Sequence, residues 1–148
     1  MRPQFLQPSL DLLQIPAGYL NLMDYANGSE VNGPGCRAVV WLQGCLRQCP
    51  QCFNPASCSF EINQLVAVES LAQRILSYPG HTGVTFSGGE PFWQAPALAK
   101  LARLVKAGGL NVMAITGFTL EQLQDPYGPA GAANLLQELD YLVEGACH

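Results

Sequence analysis

The chain has 148 residues, a formal net charge of −4, and 12% charged against 49% hydrophobic side chains. That length suits one domain with a sizeable core, and the apolar content argues against a disordered chain. The seven basic residues are scattered with no stripe to neutralise phosphates, which argues against nucleic acid as a partner. Apolar runs fall short of a membrane span, and Asp11, Gln14 and Pro16 interrupt any signal-peptide core, so the expected location is the cytoplasm. So thin a charged coat suggests that a partner covers part of the surface.

Residues 1–30, with Pro3, Pro8 and Pro16, show no sustained period and read as a lead-in with an edge strand near Tyr19–Met23. Residues 31–148 form the expected domain. Asn32-Gly33-Pro34-Gly35 is a turn, and Ala38-Val39-Val40-Trp41-Leu42 behind it reads as a strand buried on both faces. A helix is expected over Gln64–Ser77, with Asn63 as N-cap and Leu65, Val68, Ala72, Ile75 and Leu76 inward. Tyr78-Pro79-Gly80 stops it. Thr82–Phe86 is a second strand, closed by Ser87-Gly88-Gly89.

Pro96 opens a second helix, with Leu98, Leu101, Leu104 and Val105 inward and Gly108-Gly109 as its stop. Leu110–Ile115 is a third strand, Thr119 and Gln122 make a capping box, and a helix at Ala132–Leu139 leads to a strand at Asp140–Val143. Strands alternating with helices predict an α/β fold with a mostly parallel sheet. Ligands then bind at the carboxyl ends of the strands. The cysteine-rich segment after Leu42, the Ser87-Gly88-Gly89-Glu90-Pro91 turn and Thr116-Gly117-Phe118-Thr119 each follow a strand directly, so they should share one edge.

Five of the six cysteines (Cys36, Cys45, Cys49, Cys52 and Cys58) cluster, and only Cys147 stands apart. In a reducing compartment such clustering points to metal or redox chemistry rather than to disulfides. Cys45, Cys49 and Cys52 have the spacing C-x3-C-x2-C. Three thiolates in one loop can hold three irons of a cubane and leave the fourth open to a substrate. Two readings stay open on the loop alone: a zinc site completed by Cys36 or Cys58, and an electron-transfer cluster completed by Cys58. The glycine turn lets the backbone approach a ligand closely, although an ordinary strand-to-helix turn has the same composition. Glu90 is equally explained as an acid favoured at a helix N-terminus. His81 reads as a surface residue, and Trp41 and Trp93 as packing.

The cysteine loop with Phe53-Asn54 behind it resembles the cluster motif of the radical S-adenosylmethionine (SAM) superfamily. The resemblance implies a [4Fe–4S] cluster on Cys45, Cys49 and Cys52, with SAM on the open iron. It implies a cofactor site that includes Phe53, Asn54, Ser87, Gly88, Gly89 and Glu90, the SAM amino group meeting the backbone of the glycine turn, and Thr116 nearest SAM. The Val31-Asn32-Gly33-Pro34-Gly35 and Thr116–Thr119 segments are similar to those of activases of glycyl radical enzymes, in particular the group serving anaerobic ribonucleotide reductase. A large glycyl radical enzyme would then be the partner and a flavodoxin- or ferredoxin-like protein the electron donor. A superfamily member acting on a peptide or small molecule, a non-catalytic metal module and an inactive remnant are the rivals. The family continues past the position of Glu144-Gly145 into a further strand, whereas this sequence stops at His148. The expected fold is therefore a short, partial, open βα barrel with a truncated or divergent C-terminal end.

Overall fold

In the computed structural model, which describes residues 15–44 and 62–145, six strands form one sheet. They are β1 (Tyr19–Ser29), β2 (Arg37–Leu42), β3 (Gln64–Ala67), β4 (Gly83–Gly88), β5 (Asn111–Ile115) and β6 (Tyr141–Val143). Their spatial order is β3-β1-β2-β4-β5-β6. β2, β4, β5 and β6 are parallel, while β1 is antiparallel to both its neighbours. Helices α1 (Val68–Ser77), α2 (Ala95–Ala107), α3 (Leu120–Gln124) and α4 (Ala132–Glu138) lie in the connections, with a 3-10 turn at Pro91–Gln94. The sheet does not close, and the α/β, mostly parallel, open architecture expected from the sequence is present.

Alternation along the strands decides what each face carries. Leu20 and Leu22, Ala38, Val40 and Leu42, Val84 and Phe86, and Val112 and Ala114 turn to one face, which all four helices cover. α1 brings Val68, Leu71, Ala72 and Ile75, and α2 brings Leu98, Leu101, Ala102 and Val105, each set at i, i+3, i+4, i+7 spacing. α2 sits centrally, packed against both α1 and α4. Gly108 and Gly109 end it as the sequence predicts, the Gly109 amide donating to the Lys106 carbonyl at 2.9 Å.

The other face holds Arg37, Val39 and Thr85, all fully buried. Here the Gly-Pro-Gly turn folds over the amino end of the sheet. Thr85 Oγ1 donates to the Asn32 carbonyl (2.7 Å), while Arg37 donates to Thr85 Oγ1 (2.7 Å) and to the carbonyls of Pro34 (2.9 Å) and Val84 (2.8 Å). Gly33, at φ +126°, leaves the space that the Arg37 stem and the Met113 sulfur occupy. A Cβ on Gly83 would collide with the guanidinium. Burial pushes the guanidinium pKa below its ordinary value, and the nearby Tyr141 and Asp140 oppose that shift.

Three expectations are corrected. The expected helix over Gln64–Ser77 begins only at Val68; Gln64–Ala67 is β3, paired with β1 from Leu22↔Gln64 to Tyr19↔Ala67. The Leu-Val-Ala-Val run satisfies the open edge of β1 before the helical stripe takes over, and it leaves Leu65 exposed. The early strand is not an edge and runs on to Ser29, lying between β3 and β2. His81 is half-buried rather than superficial: Nε2 accepts from the Gly28 amide (2.9 Å), Nδ1 faces the Ile75 carbonyl (3.0 Å), and the ring stacks on Tyr78.

Two predictions follow from these contacts. Arg37→Met removes three charge-assisted bonds and should cost about 2–4 kcal/mol in urea denaturation, with Arg37→Lys recovering less than half, because an ammonium cannot serve three acceptors in one plane. Burial pushes the Tyr25 phenol up to about 12 from its ordinary 10.0, with Arg74 over its ring pulling the other way. The folded chain keeps a proton that the unfolded chain sheds, so stability should fall as pH rises from about 10 to about 12. Tyr25→Phe should make that fall shallower in thermal melts.

Candidate functional site

The carboxyl ends of β2, β4 and β5 are bound to one another beyond the last residues of their strands. The Gly89 amide donates to the Leu42 carbonyl (2.8 Å) and the Glu90 amide to the Gly44 carbonyl (2.9 Å). Gly88 is at φ +93°, and a Cβ there would lie 2.6 Å from the Leu42 amide nitrogen. Only glycine lets the two backbones approach so closely. The glycine turn is therefore laid directly against Gly44, the residue before Cys45.

Glu90 then crosses to β5. Its carboxylate is 1% exposed. Oε2 accepts from the Phe92 amide (3.0 Å) and from Thr116 Oγ1 (2.7 Å), and Oε1 accepts from the Gly117 amide (2.8 Å). Glu90 does stand at a helical N-terminus, as its acidic character suggests, and its bond from Phe92 caps the 3-10 turn. The other two bonds reach across to the next strand, which local sequence does not show. Thr116 Oγ1 also accepts from the Phe118 amide (3.1 Å), and the Thr116 amide donates to the Val143 carbonyl (2.9 Å), which brings in β6. Thr119 caps α3 in the predicted box with Gln122. Trp93 packs edge-on against Phe118, with ring centroids 5.6 Å apart.

The structure thus brings Ser87, Gly88, Gly89, Glu90 and Thr116 to one edge. Cys45, Cys49, Cys52, Phe53, Asn54 and Cys58 lie outside the described residues, whose chain leaves this edge at Gly44 and re-enters at Ile62. Cys36 precedes β2 at the opposite, amino end of the sheet, with about 20 Å of strand between it and Gly44. Among the described residues no group of three His, Cys, Asp or Glu side chains could hold a metal. Thiolate is the usual protein ligand of an iron–sulfur cluster, and the cysteine triplet that the sequence offers for one lies outside the described residues.

A polar cluster at the foot of that loop escapes sequence reasoning. Asn21, Gln43 and Gln94 are buried, and Asn63 joins them from the surface. The Gln94 amide accepts from the Asn21 amide (2.8 Å) and donates to the carbonyls of Asn21 (2.9 Å) and Gln43 (3.2 Å). Asn21 Oδ1 accepts from the Asn63 amide (2.8 Å), and Asn63 Nδ2 donates to Gln43 Oε1 (3.3 Å). The one sequence signal is Gln94 itself, a polar residue behind Pro91-Phe92-Trp93, all apolar.

Residues 31–148 match the family described as "4Fe-4S single cluster domain". The chain belongs to that family. Pyruvate formate-lyase-activating enzymes of Staphylococcus epidermidis and Staphylococcus aureus are each 39% identical over 87 residues, covering 55% of this chain and 35% of theirs. The chain thus spans about a third of the length of these curated relatives. QueE from Escherichia coli has a similar fold, with a TM-score of 0.53 at 16% identity over 92% of this chain and 75% of that one. The family's single-cluster description is consistent with a sequence that carries one C-x3-C-x2-C motif. No helix among the described residues is long and apolar enough to cross a membrane.

The Glu90–Thr116 bond should be measurable as a coupling. Thr116→Val strips a donor from Glu90 and an acceptor from Phe118, at a cost of about 1–3 kcal/mol. Glu90→Gln places an amide among groups that donate to it. In a double-mutant cycle read by urea denaturation, the two changes should couple by about 0.5–3 kcal/mol.

Proposed function

We propose that this chain is a radical SAM activase that generates a glycyl radical on a partner enzyme. The observation that carries the reading is the meeting, on one sheet edge, of Gly44, the glycine turn and Thr116, with the cysteine triplet beginning one residue beyond Gly44. In this reading Cys45, Cys49 and Cys52 hold the cluster. Ser87, Gly88, Gly89, Glu90 and Thr116 line the SAM side, with Phe53 and Asn54 close behind the last cysteine. When bound, cluster and SAM together supply one-electron cleavage of a carbon–sulfur bond and a carbon radical able to take a hydrogen atom from a glycine Cα.

The described residues contribute placement. The Glu90 carboxylate and the Thr116 hydroxyl already serve the Phe92, Gly117 and Phe118 amides and each other, so this edge offers a cofactor chiefly backbone. Gly88 keeps the turn pressed against β2, and Glu90 stops β5 from drifting away from it. An open sheet leaves room for a macromolecular substrate, which suits a partner's glycine loop better than a small molecule. The named relatives support pyruvate formate-lyase as the partner, while the Gly-Pro-Gly and Thr116–Thr119 segments support anaerobic ribonucleotide reductase. We favour the latter, with a flavodoxin- or ferredoxin-like donor in the cytoplasm.

The test is anaerobic reconstitution with iron and sulfide, followed by reduction and electron paramagnetic resonance. About four irons per chain are expected, together with a reduced-cluster signal that changes when SAM is added. Cys45→Ser, Cys49→Ser and Cys52→Ser should each abolish the signal. With SAM and reductant, a glycyl radical should then appear on the reductase and not on the lyase. A zinc-loaded protein, or a cluster indifferent to SAM, overturns the activase reading; a radical on the lyase alone corrects the partner.

A further inference from the structure

We infer that Gln94 is a positioning residue that holds both feet of the cysteine loop against the glycine turn, and so sets where the cluster sits relative to SAM. The inference rests on the activase reading above and on a polar arrangement that packing alone does not require. Gln94 is 6% exposed, and both its amide hydrogens and its carbonyl oxygen are used. All three bonds go to backbone, at two points that are far away in sequence but adjacent to the loop. Gln43 lies two residues before Cys45, and its amide also donates to the Asn21 carbonyl (3.0 Å). Asn63 follows the loop, and it binds Asn21 through its backbone and Gln43 through its side chain. Outgoing and returning chain are thus tied to each other, to β1 and, through Gln94, to the 3-10 turn that Glu90 begins.

The position in the sheet explains why an amide is needed here. The β1–β2 register ends at Leu22↔Leu42, so the backbone of Asn21 and Gln43 lies just past the regular ladder, where the loop departs. Buried backbone groups at such a ladder end are met by side chains where strands no longer serve them. A glutamine offers one donor–acceptor face that matches a peptide group and one further donor hydrogen. The near sequence neighbours of Asn21, Gln43 and Gln94 (Leu20, Leu22, Leu42 and Phe92) belong to the buried core and would keep it packed if the amide were lost. Its removal should therefore loosen the loop feet more than it melts the fold. Groups that orient metal ligands from behind commonly govern metal retention in this way.

The experiment uses the reconstituted protein. Gln94→Met keeps the volume and removes all three bonds. Asn63→Ala, at an exposed position, removes only the side-chain tie to Gln43 and serves if the first variant folds poorly. His81→Ala is the control, a destabilising change at the amino end of the sheet. Each protein is followed by thermal melting without cluster, by the rate at which a ferrous chelator strips iron, and by the SAM concentration that half-converts the reduced-cluster spectrum. Gln94→Met should raise both the stripping rate and the half-converting SAM concentration about tenfold, and Asn63→Ala about threefold. His81→Ala should lower the melting temperature and leave both readings as in the unaltered protein. If the Gln94 and Asn63 variants match the unaltered protein, or if His81→Ala shifts the readings equally, Gln94 is a packing residue and the inference falls alone. If the unaltered protein takes up no cluster or ignores SAM, the activase reading falls and takes this inference with it.

Discussion

One buried carboxylate determines how the carboxyl edge of this sheet is put together. Parallel strands are held in register by their ladders, but the ladder ends with the strand, and the loops beyond are free to diverge. Glu90 prevents this by reaching from the turn after β4 to Thr116 and Gly117 after β5, while its own amide remains on Gly44 after β2. Three successive parallel strands therefore leave the sheet in a fixed arrangement. A carboxylate withdrawn from water needs several good donors to be tolerated, and Phe92, Thr116 and Gly117 supply such donors from two strands' ends together.

The opposite edge solves a related problem with the opposite charge. Arg37 lies across the amino ends of β2 and β4 and gathers the Gly-Pro-Gly turn through the Pro34 carbonyl. Among the described residues its hydrogen-bond acceptors are neutral, as suits an always-charged guanidinium lodged among backbone carbonyls. The two ends of the sheet are thus specialised. The amino end is sealed by a turn folded onto the face opposite the described helices, and the carboxyl end stays committed to the glycine turn and the chain that leads to the cysteines.

Much of this was legible in the sequence because the signals were local. The apolar run of β2, the capping box at Thr119 and the glycine stop after α2 each announce themselves within a few residues. The clustered cysteines were legible as iron–sulfur chemistry, in line with the family match over residues 31–148. What escaped was set by pairing across long sequence distances. β3 was hidden inside a helical stripe because its hydrophobic spacing satisfied both periods, and only the unpaired flank of β1 selects the strand. His81 looked like a surface residue because its partners, Gly28 and Ile75, come from separate elements. Glu90 was legible as an acid at a helix start, but not as a bridge to Thr116. Asn63 was legible as a helix cap, whereas it serves the foot of the loop.

These misses share a physical cause that bears on the proposed chemistry. A bond to a neighbouring residue stabilises a local conformation; a bond between distant segments stabilises one relative placement, after the entropy of closing the intervening chain has been overcome. The side chains at the carboxyl edge are overwhelmingly of the second kind: Glu90, Gln94 and Asn21 all bond to backbone brought from elsewhere. Under the activase reading a site of this type needs few side chains to touch its cofactor, because the thiolates and the exposed backbone of a glycine turn do that. What it needs is for those groups to be held at a fixed separation while an electron passes and a large partner docks. Polar residues buried behind the turn meet that need, and they cannot drift without leaving an amide or a carboxylate unpaired.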